Sequence, residues 1–118
     1  MDIRDKMQVC KVVAQAILAD AQVTDRERKF LEKLMTRYEL DKKQRKEVMG
    51  RNLGDDAGEM ARGITDPAAR KELLLELVRA VSTDGEVADV ERTIVGRVAT
   101  VLDVAPGDLE KIVAEALS

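Results

Sequence analysis

The chain of 118 residues has no histidine and no tryptophan, one cysteine, two prolines and two aromatic residues, Phe30 and Tyr38. Without imidazole it lacks the commonest general base and a frequent ligand for zinc and copper. A lone thiol excludes an internal disulfide, and with no histidine beside it a tetrahedral zinc site of the usual kind is excluded as well. Oxygen ligands remain for metal chemistry, and they suit calcium, magnesium and manganese. Cys10 lies among Val9, Val12 and Val13 on an apolar helical stripe with no basic cluster beside it, so it reads as a buried, inert thiol. No run approaches the roughly 20 apolar residues that cross a bilayer. The N-terminus is too charged for a signal peptide, and a reducing cytoplasm is the expected location. Strand signals are nearly absent. Aliphatic and charged residues are abundant, the mixture from which amphipathic helices are built.

What is present is a repeat. Residues 20–28, Asp-Ala-Gln-Val-Thr-Asp-Arg-Glu-Arg, return at 84–92 as Asp-Gly-Glu-Val-Ala-Asp-Val-Glu-Arg. At this offset of 64 residues, 7–49 slides onto 71–113 without a gap, with seven identical pairs, five of them inside the nine-residue window. Elsewhere the pairs keep apolar character, as in Ile17/Val81, Leu34/Val98, Tyr38/Leu102 and Val48/Ile112. The length is that of one compact domain, and each half is too small for a core of its own. The expectation is one domain of two pseudo-symmetric halves, joined by a connector over about 54–66.

Periodicity predicts seven helices. The first covers about 3–19. The second starts at the capping box Thr24/Glu27 and runs to about Tyr38, and the third starts at Asp41/Gln44 and covers about 42–52. A short fourth helix falls within 59–62. The fifth follows the aspartate cap and first-turn proline of Asp66-Pro67 and runs to about Ser82, its leucines marking it as the central helix. The sixth, about 88–102, and the seventh, about 106–117 after Pro106, repeat the second and third. The fold class is all-α.

At each repeat a helix ends, four residues turn, and a helix begins with acids in its first turn. One reading is structural: Asp20 and Asp84 close the turns through backbone amides, Gly85 supplies a positive φ, and Glu27 and Glu91 cap. It fits Thr24/Glu27 better than Ala88/Glu91, because Ala88 has no side-chain oxygen. The other reading brings Asp20, Glu27, Asp84 and Glu91 together across a pseudo-twofold axis, where they repel unless a cation or protons neutralise them. A hard divalent ion fits such a set, with Glu86, Asp25 and Asp89 as outer candidates. No EF-hand loop is present.

The second copy, Asp84-Gly85-Glu86-Val87-Ala88-Asp89-Val90-Glu91 behind Leu77-Val78-Arg79-Ala80-Val81, resembles the ADGxVxxxE signature of the tellurite-resistance TerB-like family. Ala19 to Glu27 is a looser copy, with Ala21 at the glycine and Gln22 at the acid, while Thr83 stands at the alanine of the second copy. The resemblance implies an all-helical domain of two related halves. It also implies a divalent cation (calcium, magnesium or manganese) on Asp20, Glu27, Asp84 and Glu91, with Glu86 added by this sequence. A non-enzymatic interaction or scaffold role in a cytoplasmic stress-response assembly near the inner membrane face follows, with protein partners.

Charge is unevenly spread: residues 1–53 hold 13 Lys and Arg against 9 Asp and Glu, and residues 54–118 hold 7 against 14. Lys42, Lys43, Arg45 and Lys46, with Arg37 and Arg51 nearby, form the densest basic run. It reads either as a solvated face of the third helix or as a dock for an acidic protein or an anionic membrane surface. The latter supports an alternative function, a metal-free adaptor with acidic helix caps. A net charge of −3 and the lack of an aromatic platform argue against nucleic acid. Met7, Met49 and Met60 are the apolar candidates for an exposed patch.

Overall fold

The computed structural model describes residues 1–18, 24–50, 56–83 and 89–118. Among these, seven helices and no strand are present: α1 (Ile3–Leu18), α2 (Asp25–Arg37), α3 (Lys42–Met49), α4 (Ala57–Ala61), α5 (Pro67–Val81), α6 (Asp89–Val101) and α7 (Pro106–Leu117). The all-α, seven-helix expectation therefore holds, with helix ends within about two residues of those predicted except at α3, which ends at Met49 rather than about 52, with Gly50 as its C-cap.

Two helices are central rather than one. α5 is buried without interruption from Leu73 to Val78, and α1 from Val12 to Ile17, so each is covered on all sides. They pack on each other more extensively than any other pair; α1 also carries α2, α3 and α4, and α5 carries α6 and α7. Small residues hid the second central helix from the sequence reading: Cys10, Ala14 and Ala16 are fully buried without lending α1 the leucine density of α5. Ala16 and Ala80, identical across the repeat, are both fully buried on this pair of helices.

The caps of the first half form as local chemistry dictates. Thr24 Oγ1 accepts from the Glu27 amide at 3.1 Å while Glu27 Oε1 accepts from the Thr24 amide at 3.2 Å. Asp41 and Gln44 exchange the same two bonds at 2.8 Å each. Asp66 does not cap: α5 starts where predicted and has proline in its first turn, but the Asp66 side chain makes no capping hydrogen bond. The helix start thus rests on the proline and the buried face behind it.

The two halves share a C-terminal turn that the sequence did not announce. Glu39 and Asp103, at the 64-residue offset, both take a left-handed backbone, φ 59° and 58°. The following amides reach back five residues in each half, Leu40 to the Met35 carbonyl at 3.0 Å and Val104 to Ala99 at 2.9 Å, the bond of a Schellman motif. One turn earlier, the identical Thr36 and Thr100 donate to the Glu32 and Gly96 carbonyls at 3.0 and 2.9 Å. Of the three methionines expected at the surface, Met49 is 45% exposed, whereas Met7 and Met60 are half-buried and packed against the core.

Candidate functional site

Glu27 and Glu91 occupy the third position of α2 and α6, and each is only 4% exposed. A carboxylate is rarely buried to this extent without a partner. Glu27 Oε1 accepts from the Thr24 amide and from Thr24 Oγ1, both at 3.2 Å. Its second oxygen, Oε2, is buried and accepts no hydrogen bond from the described residues. The capping reading therefore accounts for one oxygen of Glu27 and leaves the other over. Asp25 and Asp89, two residues before each glutamate, are exposed.

Asp20, Asp84 and Glu86 lie outside the described residues, as do Gly85 and Ala88. Among the described residues no group of three or more carboxylate or thiol side chains is placed to hold a metal ion. Of the expected cation ligands, then, two are seen buried at equivalent helix starts.

On the basic side the residues divide by what holds them. Lys42, Lys43 and Lys46 are exposed on α3. Arg45 is half-buried and turned back onto α2, with Nε donating to the Leu40 carbonyl and Nη2 to Thr36 Oγ1, each at 3.0 Å. Arg37 Nη2 lies 2.8 Å from Glu76 Oε2 and the guanidinium stands 5.8 Å from the Tyr38 ring centre. Lys11 and Glu47, 3.1 Å apart, tie α1 to α3.

Sequence reasoning missed a third buried acid. Glu76, in the leucine run of α5, is 1% exposed and shared by Arg37 of α2 and by Arg79, whose Nη1 donates to Oε1 at 2.8 Å. The contact with Arg37 is a charge contact rather than an aligned hydrogen bond. Beside it, Tyr38 donates its hydroxyl to Glu72 at 2.8 Å, and burial followed by that bond pushes the phenol's pKa well up. Burial, then Glu76, pushes the Cys10 thiol up to about 12. A single glutamate amid Leu73, Leu74, Leu75 and Leu77 was the available signal. Its partners, 39 residues before it and three after, were not legible together.

No described helix is long and apolar enough to cross a membrane. No curated protein and no solved structure gives a significant match to the chain. The family model described as Tellurite resistance protein TerB matches residues 6–114. That span takes in both copies of the acidic window, α2 to α6 whole and most of α1 and α7, and on it the chain belongs to the TerB family.

Proposed function

We propose that the chain is a non-enzymatic interaction module that holds a divalent cation at its acidic inter-helix turns and works within a cytoplasmic stress-response assembly. The observation that carries the cation is Glu27 Oε2, a buried carboxylate oxygen with no donor among the described residues. Such an oxygen is costly unless a positive charge or a proton meets it. Glu91, equally buried at the equivalent position of the other half, makes the arrangement a pair. In this reading Glu27 and Glu91 are joined by Asp20, Asp84 and Glu86. An all-oxygen set of this kind favours calcium, magnesium or manganese. The bound ion would supply positive charge that joins the start of α2 to the loop before it, and of α6 likewise.

A second reading rests on α3. Lys42, Lys43 and Lys46 are exposed there together with Met49, which suits an adaptor docking an acidic partner or an anionic membrane surface without metal.

Thermal unfolding of the chelator-stripped chain, with and without millimolar calcium, magnesium or manganese, separates the two. An ion bound only by the native state at about 100 times its dissociation constant adds about 2.7 kcal/mol. At this size that is a rise of several degrees. No rise with any of the three ions would sink the cation reading.

A further inference from the structure

The two oxygens of Glu27 are held differently. Oε1 receives two donors from one residue, the Thr24 amide and the Thr24 hydroxyl, both at 3.2 Å. The hydroxyl is itself fixed, since Oγ1 accepts from the Glu27 amide at 3.1 Å while it donates to Oε1. A carboxylate oxygen has two lone pairs, and two donors fill them. Oε2 is buried and has no donor among the described residues. With Glu27 buried, that oxygen has little access to bulk water either.

This division decides how the carboxylate can meet an ion. Gripping an ion with both oxygens would draw Oε1 off Thr24 and break both bonds that Oε1 accepts at the start of α2. Through Oε2 alone, Glu27 can meet an ion and keep its cap. Calcium takes roughly six to eight oxygens and readily spans both oxygens of one carboxylate, as at the last position of an EF-hand loop. Magnesium demands a near-ideal octahedral shell, which the narrow bite of a two-oxygen carboxylate strains. Manganese accepts the same octahedral oxygen shell. The second copy of the window differs at this point. Ala88 stands there in the place of Thr24, so that position offers no hydroxyl to the equally buried Glu91.

We propose that Thr24 is a positioning residue that restricts Glu27 to one-oxygen ligation and thereby disfavours calcium relative to magnesium or manganese at the first-half turn. The selection presupposes the cation proposed above; what it adds is the residue that chooses among the ions. Thr24 need not touch the ion, because its hydroxyl acts through Oε1 of Glu27.

The test is a titration of the isotope-labelled, chelator-stripped full chain with magnesium chloride or calcium chloride, followed at the amides of residues 24–28. In the magnesium-loaded natural chain the Thr24 amide should stay slow to exchange with water, because its bond to Oε1 survives. Thr24→Ala removes the hydroxyl and frees a lone pair of Oε1. It should shift the ratio of the calcium and magnesium dissociation constants toward calcium by on the order of tenfold. Thr24→Ser keeps the hydroxyl and should keep the natural ratio. A weakened helix start lowers the affinity for both ions alike, so the ratio does not report it. Circular dichroism checks the helices of each variant, and Thr24→Gly, which costs a helix start less than alanine does, replaces Thr24→Ala if that variant does not fold. An unchanged ratio without the hydroxyl would overturn the selection and leave the cation in place. Fast exchange of the Thr24 amide in the magnesium-loaded natural chain would do the same. No response of residues 24–28 to either ion would overturn the cation at this turn and the selection with it.

Discussion

Arg97 lies across Gly58, so close that a Cβ at Gly58 would stand 3.0 Å from Nε and 3.1 Å from Cγ. The same guanidinium is held by Asp56, two residues before that glycine. The connector is therefore fastened to α6 by one arginine that needs both an acid to grip and a glycine to pass over.

Gly58→Ala tests this fastening. In an unhindered helix the change gains up to about 1 kcal/mol. Here the arginine must shift off Asp56 or the short helix must lift, and overpacking of this kind costs about 1–3 kcal/mol. Net destabilisation of about 1 kcal/mol is expected in urea unfolding. In an Arg97→Ala background the same alanine should be neutral or stabilising. Equal effects in both backgrounds would show that Arg97 is not the obstacle.

The Asp56 charge has a pH signature. The hydrogen bond from Arg97, aided by the Gly58 amide and the arginine's charge, holds the Asp56 carboxyl below its ordinary value of 3.8. A depressed folded-state pKa means that the stabilisation is complete above the unfolded-state value and is lost as pH falls through the folded one. The stability difference between the natural chain and Asp56→Asn should be constant from neutrality down to about pH 5 and shrink below about pH 4. A difference that grows on acidification would refute the assignment.

Glu76 is the costlier ion-pair site. Removing the acid from a buried pair typically costs about 3 kcal/mol or more. Since Arg37 and Arg79 are 55% and 36% exposed and can hydrate, Glu76→Ala should cost nearer to about 2–3 kcal/mol. Glu76→Gln should cost less, its amide oxygen still accepting from Arg79. Cys10 supplies a second readout. A thiol buried and shifted to about 12 should resist thiol reagents at about pH 8 in the native chain and react faster in Glu76→Ala as the core opens. Equal labelling rates would place Cys10 outside the region that Glu76 secures.

Local chemistry was legible in the sequence and long-range chemistry was not. Thr24/Glu27 and Asp41/Gln44 could be read because a capping box needs only four consecutive residues. The helix frame could be read because the helical periodicity survives in both halves. Glu39 and Asp103 were missed because a left-handed helix end is usually marked by glycine or asparagine; the signal was their equivalence, next to the identical Thr36 and Thr100. The pairing of Asp56 with Arg97 spans 41 residues, and nothing local foretells it. Of the cation ligands expected from the sequence, Glu27 and Glu91 are the ones the structure describes, and their burial is what it adds.

The left-handed turns offer a gain rather than a loss. A non-glycine residue at φ near 60° carries a strain of roughly 1 kcal/mol, which glycine avoids. Glu39 and Asp103 are both exposed, so replacement removes little packing. Glu39→Gly and Asp103→Gly should each raise Tm by about 2–5 °C, and because the sites are in different halves the gains should add. A fall in Tm for either would mean that its side chain does more than sit in the turn.

Glu27→Gln separates the cap from the cation. Glutamine at the third helical position completes a capping box as glutamate does, and this chain already does so at α3, where Gln44 Oε1 accepts from the Asp41 amide at 2.8 Å. The Glu27→Gln variant would therefore keep the bond to the Thr24 amide and nearly all of the start of α2. Thr24→Ala, by contrast, removes the hydroxyl and should cost about 1 kcal/mol. In chelator, Glu27→Gln should match or exceed the natural chain in Tm, since the amide is cheaper to bury than the charge. With calcium, magnesium or manganese the natural chain should gain stability and Glu27→Gln should gain little. If neither chain responds to any ion, and Glu27→Gln is still the more stable, the buried glutamate is a capping residue whose charge the fold tolerates. If Glu27→Gln responds as fully as the natural chain, the ion binds elsewhere, and Glu27 has no part in holding it.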